Sequence, residues 1–153
     1  MYQDFKDLLS AFHTHGVKYL VIGGYAVSLH AQPRATKDLD VFIQAEPANA
    51  QAVYAALAAF GAPVGEIRVE DLADRSGFVR IGREPVAVDL HPHIPGVDFD
   101  AAWQRRVEAT VDPQTGLKVF FISRDDLIAS KLASGRIQDL ADVEGIREAI
   151  RRP

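Results

Sequence analysis

The chain contains no cysteine. A disulfide framework, a thiolate metal centre and a cysteine nucleophile are all excluded, and any bound metal must rest on oxygen or imidazole. Long apolar runs are missing too, since no stretch approaches the roughly 20 residues that span a bilayer. The first residues, Met1 to Leu9, mix Asp4, Lys6 and Asp7 with apolar side chains, unlike the basic start and apolar middle of a secretory leader. A soluble cytoplasmic protein with no membrane partner is the expectation. Basic charge is in short supply: 17 Lys and Arg against 21 Asp and Glu leave a formal charge of −4. That balance argues against a broad grip on nucleic acid and leaves room only for a local basic groove. The sequence also lacks a Walker-type glycine loop, a nucleophile elbow and the His-Glu spacing of a zinc enzyme.

What remains reads as one compact domain over residues 1–153, with 123–153 as a C-terminal helical segment, because 153 residues support a single core and no repeat or linker divides them. Tyr2, Phe5, Leu8, Leu9 and Phe12 recur at helical spacing, and Gly16 can cap a helix over 2–15. Val17 to Ile22 is a β-branched apolar run ending at Gly23-Gly24, after which Tyr25 to His30 suits a short helix. Asp38 to Ile43 alternates with the period of a strand. Pro47 opens an Ala-rich helix that reaches Phe60 and ends at Gly61. Phe78–Ile81 and Val86–Leu90 read as two strands joined by a turn over Gly82–Pro85, and Phe99–Val107 as a helix. Leu117–Ile122 is a further strand. Ser123 then caps a helix through Leu132, and Asp139–Arg151 forms the last one after Gly135. The expected class is α/β (α+β): a mixed sheet flanked by helices, with a C-terminal helix pair.

Asp38-Leu39-Asp40 carries the strongest chemical signal. Residues two apart on a strand point to the same side, so both carboxylates would enter one site and repel each other unless a cation intervenes. A hard divalent ion such as magnesium prefers such oxygen ligands and keeps places for water and phosphate. Gly23-Gly24 stands where a strand becomes a helix, a place where backbone N–H groups can approach phosphate oxygens. Val88-Asp89-Leu90 sets a third acid between apolar neighbours on another strand. Each feature has a plain alternative: the wet face of a half-exposed strand, a tight turn without a ligand, and an edge-strand charge. His91 shares a strand face with Asp89 if that strand continues, in a site-adjacent or merely structural role, with Pro92 ending the strand.

The series Gly23-Gly24, Arg34, Thr36, Asp38-Leu39-Asp40 and Asp89 resembles the nucleotidyltransferase superfamily that includes DNA polymerase beta and small antibiotic nucleotidyltransferases. The match covers residues 17–90. The resemblance implies the fold of that superfamily and a catalytic, metal-binding triad of Asp38, Asp40 and Asp89, with Asp89 also the general base for the incoming hydroxyl. It implies magnesium, with manganese as the substitute, an NTP donor, and triphosphate contacts from the backbone of Gly23 and Gly24. Lys37 departs from the motif, being charged where the superfamily is apolar. Arg34 could steer phosphate. Residues Asp126 to Lys131, then Gly135-Arg136, Asp139-Leu140, Asp142 and Val143, resemble the corresponding region of AbiEii-type toxins. That second likeness implies that Lys131 contacts triphosphate, that Asp139 orients Lys131 or Arg136, and that a toxin or antitoxin partner protein exists; its alternative is an ordinary helix hairpin with salt bridges. The acceptor hydroxyl stays open between RNA, protein and a small molecule, and the C-terminal likeness tips the assignment toward an AbiEii-like enzyme. A competing reading is a catalytically inactive nucleotide- or partner-binding domain of a toxin-antitoxin-type system.

Overall fold

The computed structural model of the protein describes residues 1–83 and 86–152. Helix α1 spans Gln3–Thr14 and buries Phe5, Leu8, Leu9 and Phe12, the stripe set by its helical spacing. Strand β1 (Tyr19–Ile22) follows, then helix α2 (Gly23–His30), strand β2 (Leu39–Ile43) and helix α3 (Pro47–Phe60). Pro47 occupies the first turn of α3, and Gly61 ends it in the left-handed conformation at φ 94°. A 3-10 turn, Val69–Ala73, precedes the hairpin of β3 (Val79–Arg83) and β4 (Val86–His91). Of the turn expected over Gly82–Pro85, Glu84 and Pro85 lie outside the described residues. The pairing of Arg83 with Val86 still fixes the hairpin register.

The helix expected over Phe99–Val107 stops early: α4 is Phe99–Gln104, and Val107–Asp112 is a strand, β5. Val107, Ala109 and Val111 alternate with Glu108 and Thr110, and the chain turns back through Gly116 to pair antiparallel with β6 (Leu117–Phe121). The cross-strand pairing outweighs the weak continuation of the helical pattern into Arg105 and Arg106. Helix α5 (Arg124–Ser134) begins at Ser123, whose hydroxyl accepts from the Asp126 N–H, and ends at Gly135 at φ 69°. Helix α6 spans Ile137–Arg151 and packs along α5.

The six strands form one mixed sheet in the order β3-β4-β2-β1-β6-β5, with the β2–β4 and β1–β6 pairs parallel and the others antiparallel. This is the mixed sheet with flanking helices and C-terminal helix pair that the sequence predicts. Both faces of β2 are covered: Leu39, Val41 and Ile43 are buried on one side and Phe42 on the other, where its ring meets Phe99 edge-on at 4.9 Å. On that second side of β2 only Asp40 stays partly open. Helix α1 packs on α3, and α2 lies on β1 and β2 and touches α6. Among the described residues, no helix is long and apolar enough to cross a membrane.

Candidate functional site

The sheet register assembles the site. Asp40 on β2 pairs with Asp89 on parallel β4, Asp89 pairs with Arg80 on β3, and Asp40 pairs with Ile22 on β1. Arg80, Asp89, Asp40 and Ile22 therefore form one row across four strands, and laterally paired residues share a face of the sheet. Two residues on, Phe42 pairs with His91. One ligand atom from each of Asp40, Asp89 and His91 lies within 4.8 Å of the others, a group that could hold a metal ion. The imidazole Nε2 of His91 is 3.1 Å from Asp40 Oδ1, and the exposed ring of Phe78 stacks on the imidazole at 5.4 Å.

Asp38 stands one residue before β2 rather than within it. Its Oδ2 accepts from the Arg80 guanidinium at 3.3 Å, while its Oδ1 is the only buried side-chain oxygen without a hydrogen-bond partner among the described residues. Arg80 also forks onto Asp89, with Nε and one terminal nitrogen each 2.9 Å from a carboxylate oxygen. The structure thus groups Asp40 and Asp89 with His91 and links Asp38 to them through Arg80. A buried carboxylate oxygen left unpaired beside two more acids fits a hard divalent cation, since oxygen donors are what magnesium selects.

The two glycines explain how α2 comes so close. Gly23 has φ +65°, a conformation that disfavours side chains, and a Cβ there would strike the Asp40 carboxylate. At Gly24 a Cβ would strike the Thr36 side chain, with the Arg34 guanidinium 3.7 Å away. The N-terminus of an eight-residue helix, whose first N–H groups have no partner within the helix, is thereby set against Asp40.

The C-terminal helices supply a second charged cluster. The ammonium of Lys131 donates to Asp142 at 2.9 Å and to Asp139 at 3.3 Å. Arg136 donates to Asp139 at 2.8 Å, and Arg34 reaches from the loop before β2 to Asp142 at 2.7 Å. Burial works to raise the Asp139 carboxyl, but hydrogen bonds from Arg136, Ser134 and Lys131 prevail and hold it at about 2. The same contact raises the Arg136 guanidinium, with a smaller push from the charge of Asp40. The two clusters share a cleft of about 240 Å³, whose wall includes Gly23, Asp40, His91, Lys131, Arg136 and Asp139.

Sequence reasoning missed Arg80 and gave Asp142 no place in the site. The signal for Arg80 was present in the hairpin, because a register that pairs Arg83 with Val86 places position 80 opposite 89. Asp142 lies one turn of helix beyond Asp139, on the face that meets α5.

Comparison with solved structures gives the fold independent support. The lincosamide antibiotic adenylyltransferase LnuA, determined with lincomycin bound, is similar over 97% of this chain and 98% of its own, at a TM-score of 0.59 and 17% identity. The antibiotic-resistance factor ANT(2'')-Ia is similar over 96% of this chain and 82% of its own, with a TM-score of 0.62 and 16% identity. An antigenic nucleotidyltransferase-like protein from Paracoccidioides brasiliensis is similar over 95% of this chain and 73% of its own, at 0.55 and 16%. At such identities the likeness carries the fold alone. No curated protein matches the chain in sequence. The family model described as nucleotidyltransferase of unknown function (DUF6036) matches residues 2–148, and the chain belongs to that family.

Proposed function

We propose that the protein is a magnesium-dependent nucleotidyltransferase that moves an NMP from an NTP to an acceptor hydroxyl, with residues 1–153 acting as one catalytic domain. The observation that carries this reading is the pairing of Asp40 with Asp89 across β2 and β4, beside the unpaired Oδ1 of Asp38 and against the Gly23-Gly24 helix start. Asp38, Asp40 and Asp89 would hold magnesium, or manganese in its place, and His91 would orient Asp40 through its hydrogen bond. The metal, when bound, offsets charge on the triphosphate and on the attacking and leaving oxygens. The backbone N–H groups of Gly23 and Gly24 would bind triphosphate, with Arg34 beside Gly24 steering it. Lys131 would reach phosphate from the cleft wall while Asp139 holds both it and Arg136 in place. In the reaction the acceptor oxygen forms a bond to the α-phosphorus, the bond to pyrophosphate breaks, and Asp89 takes the hydroxyl proton.

A small-molecule hydroxyl is the acceptor this reading favours. LnuA has nearly the same length as this chain, and both antibiotic-related structures share its fold. The AbiEii-like motif over 126–143, with an RNA or protein acceptor and a toxin or antitoxin partner, gains nothing from these comparisons. One observation favours the alternative of an inactive binding domain: Arg80 already engages two of the three acids. Incubating the protein with each α-labelled NTP, magnesium and either an antibiotic panel or cell extract separates the two. The expected result is a labelled product of small mass together with pyrophosphate. Labelled RNA or protein would move the acceptor class, and no product above that of Asp40→Asn under any condition would favour the inactive domain.

A further inference from the structure

We infer that Arg80 is a resident counter-cation of the acid site, which a divalent metal must displace. The inference rests on the proposed metal-binding function of Asp38, Asp40 and Asp89 and extends it to a residue outside the acid motif. Asp40 pairs with Asp89 across the sheet and Arg80 ties Asp38 to Asp89, and like charges so placed destabilise one another unless a cation lies among them. Arg80 supplies such a cation: its planar fork matches both oxygens of Asp89 and its terminal nitrogen reaches Asp38 Oδ2. The fit is incomplete, because Asp38 Oδ1 stays buried and unpartnered and Asp40 turns to His91 instead.

Exchange is sterically open. The Arg80 side chain is 47% exposed, whereas that of Asp89 is only 10% exposed, so the guanidinium can withdraw towards solvent while the acids stay on the sheet. Asp89 belongs both to the Arg80 fork and to the group that could hold a metal, so the two cations compete for its carboxylate. Metal affinity is therefore set as a difference: what the ion gains from the acids, less what Arg80 loses on leaving them.

Manganese binding, followed by electron paramagnetic resonance without nucleotide, tests this directly. Arg80→Gln should bind manganese about three- to tenfold more tightly than the unaltered protein, the range expected when a partly exposed bidentate pair no longer competes. The metal-free variant should also melt lower than the unaltered protein, and the gap should close at saturating manganese. Arg80→Lys keeps the charge but cannot fork both oxygens; it should show a smaller gain and carries the test if the glutamine variant does not fold. Equal or weaker manganese binding in the folded variants would overturn the inference while leaving the metal site intact. If manganese binds neither the variants nor the unaltered protein at millimolar concentration, the metal-site reading falls with it.

Discussion

Neighbouring acids in this site stand in unlike surroundings, and their amide variants should therefore behave differently before any metal is added. Asp89 is 10% exposed at its side chain and holds the Arg80 fork, whereas Asp40 is 28% exposed and bonds the His91 imidazole, with the Arg136 guanidinium acting on it only at longer range. Asp89→Asn should cost about 1 kcal/mol of metal-free stability, a figure kept low because Arg80 is half exposed. Asp40→Asn should be neutral or slightly stabilising, because it relieves repulsion without stranding a cation. Urea unfolding of the two variants in chelator checks the contrast, and equal losses would mean that Asp40 has a structural partner as important as Arg80. Glycine makes a second contrast. Gly23→Ala introduces a side chain at φ +65° and pushes on Asp40, which should cost about 1–2 kcal/mol and weaken metal binding together. Gly24→Ala crowds Thr36 instead, so its loss of stability should leave metal affinity nearly unchanged. Paired melts and manganese titrations would tell these apart.

Among the elements, α5 and α6 carry most of the charge that is buried away from the sheet. Asp139 is 3% exposed and its carboxyl is held at about 2, below the ordinary 3.8. A depressed folded value means that the unfolded chain binds the proton more readily, so this contribution is complete above about pH 4 and is lost as the pH falls towards 2. It amounts to about 2 kcal/mol. Asp139→Asn should flatten the acid limb of a stability profile over that window, and an unchanged limb would show that Arg136 and Lys131 do not grip the carboxylate in solution. The same helices show what a sequence reveals and what it hides. Ser123, Gly135 and the apolar spacing mark where the helices start and stop, because capping and periodicity are local. That Lys131 meets Asp142, and that Arg34 reaches it across 108 positions, depends on packing between elements and leaves no local trace. Strand β5 was hidden for a related reason: its pairing with β6 is tertiary, while its first residues continue the pattern of α4. Gly23-Gly24, Asp40 and Asp89 were legible since strand period and a glycine turn fix them locally. Asp38 is the partial case, for the strand begins one residue later than the alternation suggested.

At the scale of the whole molecule, the sheet brings β2, β4 and the start of α2 together on one side of a cleft and sets α5 and α6 on the other. The central claim is that this cleft receives a divalent metal with a nucleoside triphosphate. A ligand that binds only the folded chain raises stability by mass action, by about 2.7 kcal/mol at 100 times its dissociation constant. For a domain of this size that corresponds to roughly 5–10 °C in melting midpoint. The measurement is a set of thermal melts of the unaltered protein and of Asp40→Asn, each in chelator, in millimolar magnesium, and in magnesium with each NTP. The account predicts a small rise with magnesium and a larger one with a magnesium–NTP pair in the unaltered protein, both lost in Asp40→Asn. Midpoints that do not move with any NTP, or that move equally in Asp40→Asn, would contradict it.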